Sequence, residues 1–112
     1  MNVAGDNESG AASRLSALLV QTAKAHREYE VRELQGMLDE QWPDWYAPYL
    51  RRNGLPQLLE GMPGQQSVID GLERVLVEAD AAYRGSAEAQ TEEWPDYYAR
   101  YLLSRASTEA DK

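Results

Sequence analysis

The sequence has no cysteine, no phenylalanine and a single histidine among its 112 residues. Without cysteine there is no disulfide, no thiolate nucleophile and no Cys-ligated zinc. The one histidine, His26, has no second His, no Cys and no helical Glu-x-x-His pair to share a metal with, so neither a metal nor a cofactor is expected. Apolar runs stop at four residues, as in ALLV at 17–20, and the opening MNVAGDNESGAAS has neither a basic nor an apolar stretch. Neither a membrane span nor a signal peptide is therefore expected, and the cytoplasm is the default location. Positive charge is scarce: 11 Lys and Arg stand against 19 Asp and Glu, for a net charge of -8 and a pI near 4.6. Nucleic acid and anionic membranes need clustered Lys and Arg, so neither is expected as a partner. Glycine-rich phosphate loops, Ser-nucleophile elbows, dinucleotide fingerprints and long heptad runs are missing as well.

What is present is a repeated phrase, WPDWYAPYL at 42–50 and WPDYYARYL at 94–102. Before the first, Leu15, Leu18, Leu19, Thr22, His26 and Tyr29 trace the i, i+3, i+4, i+7 stripe of an amphipathic helix, with Ser13 as its N-cap. Before the second, Val68, Ile69, Leu72, Val75, Leu76, Ala79 and Tyr83 do the same, with Ser67 and Asp70 in capping-box relation. The helix stripes align as LVQTAKAHR (19–27) with LVEADAAYR (76–84), and the second copy comes out five residues shorter. Gly36 is expected to end the first helix, with Leu34, Met37 and Leu38 packed beneath the turn. RNGLPQLLEGMPGQQS between the copies, rich in glycine and proline, reads as an ordered crossover.

The expected fold is all-α: a four-helix domain made of two tandem, pseudosymmetric helical hairpins, each supplying the face the other lacks. Residues 13–103 form the domain, as hairpin 13–53, crossover 54–66 and hairpin 67–103. Residues 1–12 are expected to be disordered and 104–112 to fray. Pro43 and Pro95 suit the first helical turn, and Asp44 and Asp96 the positive end of the helix dipole. Pro48 sits too deep and should kink or shorten the first aromatic helix. Glu28 with Arg32, Asp70 with Arg74 and Asp96 with Arg100 have ion-pair spacing on solvated faces.

The residues AHREYE...DEQWPDWYAPYL resemble a small bacterial helical domain that occurs alone or joined to glyoxalase-like or polyketide-cyclase-like domains. The likeness rests on His26, Tyr29 and Glu30, then Trp42, Pro43, Trp45, Tyr46, Ala47 and Tyr49, about a third of the chain. The second copy departs from it, with Tyr83 at the His26 position and Tyr97 at the Trp45 position. The resemblance implies a fold and an accessory context, not a reaction.

Two functional expectations follow. In the first, the protein is a noncatalytic binding or accessory module that self-associates or binds a partner protein through its Trp/Tyr-rich helices. The residues concerned are Tyr29, Trp42, Trp45, Tyr46 and Tyr49 in the first copy, and Tyr83, Trp94, Tyr97, Tyr98 and Tyr101 in the second. In the alternative, the same aromatics wall a pocket around His26 for a small apolar or aromatic ligand, in a carrier or a small enzyme. His26, with Glu30 or Asp44, is then the acid/base candidate. Against both stands ordinary packing, because a 3, 4, 7 stripe is what any core helix shows.

Overall fold

A computed structural model describes residues 3–87 and 91–108, with side chains described from Gly10 onward. The fold is all-α, with six helices among these residues: α1 (Val3–Glu33), α2 (Trp42–Arg52), α3 (Leu55–Leu58), α4 (Gln65–Asp70), α5 (Leu72–Arg84) and α6 (Trp94–Ser107). The four longer ones form a ring of neighbours, α1 on α2, α2 on α5, α5 on α6, and α6 back on α1. No helix among the described residues is long and apolar enough to cross a membrane.

The stripes read from the sequence face the centre of this ring. Leu15, Leu19, Leu50, Leu72, Leu76 and Leu102 are fully buried, and truncating any one to Ala would cost about 2–5 kcal/mol. Thr22 is buried too, its hydroxyl satisfied by the Leu18 carbonyl at 2.7 Å. Both Trp-Pro-Asp segments start a helix, with Pro in the first turn where no intrahelical N–H is lost. α2 runs on through Pro48 but ends at Arg52, three residues shorter than α6.

Several boundaries differ from expectation. α1 begins at Val3, not Ser13; the segment before Ser13 is rich in alanine, and Ala11 and Ala12 sit half-buried beside Leu103. The crossover is itself helical, in α3 and the start of α4, and Leu55 and Leu59 are fully buried. The helix expected from Ser67 starts at Gln65, with Gly64 as its N-cap, and breaks at Gly71. The C-terminal boundary moves as well: α6 reaches Ser107 and Ala106 is completely buried, because α4 docks onto this last turn. The Gly64 N–H donates to the Ala106 carbonyl at 2.6 Å, and a Cβ at Gly64 would lie 2.5 Å from the Thr108 carbonyl oxygen. Residues 1, 2 and 109–112, also expected to be loose, lie outside the described residues.

Met37 and Leu38 do not pack beneath the α1–α2 turn; they are 69% and 79% exposed. The turn is closed by polar contacts instead. Gln35 and Gly36 adopt φ of 55° and 86°, and the Gly36 N–H returns to the Glu30 carbonyl at 2.8 Å. The expected surface ion pairs also re-pair: Arg100 bonds Glu92, Asp96 accepts the Ser16 hydroxyl at 2.7 Å, Arg74 faces Glu78 and Arg32 faces Glu33. A bond not foreseen ties α2 to the second half. Arg51 donates to the Ile69 carbonyl and forks onto Glu73, whose carboxyl is held below its ordinary value, chiefly by that guanidinium.

Candidate functional site

The last turns of α1 carry His26 and Glu30 on its buried side, one turn apart. Because the chain reverses at Gly36, Asp39 comes back over both. The Asp39 N–H donates to Glu30 Oε2 at 2.8 Å and Asp39 Oδ2 lies 3.0 Å from His26 Nε2, while His26 Nδ1 faces Glu30 Oε2 at 3.7 Å. Arg27 adds a bond to Glu30 Oε1 at 3.0 Å and one to the Gly36 carbonyl at 3.2 Å. The Glu30 carboxyl is held below its ordinary value first by the Asp39 N–H and then by Arg27 and His26, against the opposing effect of burial. Both nitrogens of His26 therefore face carboxylates, and the ring works as a clasp for the α1–α2 turn. Asp44, the other acid/base candidate, is exposed in the first turn of α2 and lies apart from the clasp.

Beside the clasp opens a cleft of about 380 Å³, inside the usual range for small-ligand sites. Its aromatic wall comes from the two repeated phrases. Trp42 meets Tyr46 edge-on at 5.0 Å and 73°, and Trp94 meets Tyr98 at 5.0 Å and 72°. Trp42 also leans toward Tyr98 at 6.5 Å, so the two pairs share one wall. Arg27 of α1 and Arg84 of α5, which the stripe alignment makes equivalent, both stand at the cleft, as do Ala23 and its counterpart Asp80.

That last substitution breaks the match. The Tyr98 hydroxyl donates to Asp80 Oδ1 at 2.6 Å, and Arg84 holds Oδ2 at 2.9 Å. Ala23, which the stripe alignment sets opposite Asp80, offers no acceptor, and among the described residues the Tyr46 hydroxyl makes no hydrogen bond although the residue is only 9% exposed. Burial, helped by the nearby Glu30 charge, pushes the Tyr46 hydroxyl up to about 12; burial and the Asp80 bond raise Tyr98 as well.

The remaining motif aromatics lie off the cleft. Trp45 stacks on Tyr49 at 5.3 Å and 18° and packs against Tyr29, and Gln21 donates to the Tyr49 hydroxyl at 2.9 Å. Tyr83 packs against Tyr97 and donates to the Glu92 carbonyl at 2.8 Å. Arg100 sits over Tyr97 and Arg105 over Tyr101, at 5.4 and 5.8 Å from the ring centres. Of the residues at the cleft, sequence reasoning singled out His26, Glu30, Trp42, Tyr46, Trp94 and Tyr98. It missed Asp39 and Asp80. Asp80 carries an i, i+4 signal with Arg84 and could have been found; Asp39 meets His26 across a turn and leaves no periodic trace. Among the described residues, no group of three or more His, Asp or Glu is arranged to hold a metal ion.

Compared with known proteins, the chain matches no family model, no curated protein and no solved structure.

Proposed function

We propose that this protein is a noncatalytic small-molecule-binding module, its ligand a compound with a flat or apolar body seated between Trp42 and Trp94. The observation that carries the reading is the convergence of the two Trp-Tyr pairs on one cleft that also contains the buried, unpaired Tyr46 hydroxyl. Aromatic side chains beside directional polar groups are features of ligand pockets, and here Trp42, Tyr46, Trp94 and Tyr98 share the lining with five charged residues and His26. His26, with Nε2 at 3.0 Å from Asp39 and Nδ1 at 3.7 Å from Glu30, is read as closing the α1–α2 turn. We read the two halves as a duplicated hairpin with the cleft between the copies, supported by the matched ring geometries and by equivalent residues meeting there.

Self-association or docking of a partner protein through the aromatics has less support. The exposed large apolar side chains among the described residues are aliphatic, and none of the motif aromatics is among them. That reading now rests on exposed Met37 and on Leu38, which is exposed at the cleft.

A thermal-shift screen of small aromatic compounds tests the proposal. A binder at a hundredfold excess over its Kd adds about 2.7 kcal/mol, which raises the Tm of a domain this size by several degrees. The shift is expected in the wild type and lost in a Trp42→Leu/Trp94→Leu variant that retains its helical circular dichroism. Shifts that persist in the variant would contradict the proposal.

A further inference from the structure

The charges around the cleft are unevenly placed. Three carboxylates line it, and their side chains are well covered: Glu30 at 7% exposed, Asp39 at 13% and Asp80 at 24%. The two guanidiniums that line it are at the rim, Arg27 at 54% and Arg84 at 76% exposed. Charges in solvent are screened and covered ones far less, so the field of the covered acidic groups outweighs that of the rim guanidiniums, with His26 set between Glu30 and Asp39. The net charge of -8 deepens that field from a distance.

The aromatic wall favours the same sign. Trp42, Tyr46, Trp94 and Tyr98 line part of the space, and the faces of such rings attract cations. The asymmetry between the halves then indicates where the charged group goes. In the second half, the place beneath Tyr98 is filled by Asp80 with its Arg84 partner. In the first half the position aligned with Asp80 is Ala23, also at the cleft, and the Tyr46 hydroxyl has lone pairs with no donor and the Glu30 charge nearby. An ammonium group at that position would donate to the Tyr46 oxygen with the Glu30 charge nearby, in a cleft that Asp80 also lines.

Resting on the cleft reading above, we infer that the ligand is an organic cation: a protonated amine borne on a flat or apolar group, its ammonium at the Tyr46 hydroxyl and its body between Trp42 and Trp94. A carboxylate or phosphate ligand would meet three covered carboxylates, while the groups that could receive it are already engaged: Arg27 by Glu30, Arg84 by Asp80 and His26 by Asp39.

Isothermal titration with phenethylamine, phenethyl alcohol and phenylacetate, three probes of one shape and different charge, tests this. Phenethylamine is expected to bind on the order of tenfold tighter than the alcohol, with phenylacetate weakest and added salt narrowing the gap. Tyr46→Phe and Asp80→Asn, both close to isosteric and checked for retained helicity, are each expected to reduce the amine's advantage severalfold. Equal or tighter binding of the alcohol or phenylacetate would overturn the cation assignment and leave the cleft standing. An amine advantage untouched by both substitutions would overturn the placement, and with it the inference. Binding of none of the three would overturn the cleft reading itself.

Discussion

Glu30 shows how much a single residue decides here. It is buried yet ionised, because the Asp39 N–H and the Arg27 guanidinium each give it a hydrogen bond. Its folded value lies below the ordinary 4.5, so the unfolded chain takes up a proton first as the solution is acidified. The stabilisation is thus complete above about pH 4.5 and is lost as pH falls from there through the lower, folded value; Glu73, lowered by Arg51, adds in the same direction. Urea unfolding of the wild type is expected to show this acid decline. Glu30→Gln should cost about 1–2 kcal/mol at neutral pH and flatten it; an unchanged pH profile in the variant would mean the clasp is not ionised. His26 and Glu30 were legible in the sequence as a pair on one helix face. Their meaning was not, because Asp39, which converts the pair into a clasp, is held by a left-handed turn at Gln35 and Gly36 and not by helical spacing.

At the scale of elements, periodicity identified the buried stripes of α1 and α5 and the proline-started helices α2 and α6 nearly residue by residue. It failed where two chain segments meet end to end. Nothing in the stretch after Leu103 advertises burial, since its residues are small and polar; Ala106 becomes core only because α4 abuts it, and α4 can do so only because Gly64 has no side chain. Gly64→Ala is therefore expected to destabilise the protein by about 1–3 kcal/mol and to raise amide exchange in the last turn of α6 ahead of the rest. Exchange that rises uniformly, or not at all, would indicate that the contact contributes little. Likewise, Met37 and Leu38 read as buried from hydropathy, but the polar closure of the turn satisfied the backbone first and left them outside.

For the whole molecule, the two phrases that stand out in the sequence meet in space at one cleft. Each Trp-Tyr pair alone is half a wall; the ring of α1, α2, α5 and α6 joins the halves and leaves an acidic, aromatic space between them. The sequence announced the aromatics and the likeness of the two phrases. It did not distinguish Trp42 and Trp94, at the cleft, from Trp45, stacked on Tyr49 away from it, because all three obey the same helical spacing. That distinction is also what makes the central claim testable. The protein has three tryptophans and so three indole N–H resonances. Titration with phenethylamine and, in parallel, phenethyl alcohol, followed by proton–nitrogen correlation spectra, is expected to move the Trp42 and Trp94 indole signals first and furthest while Trp45 lags. If neither probe moves Trp42 or Trp94, or if Trp45 leads, the cleft between the two phrases is not the binding site.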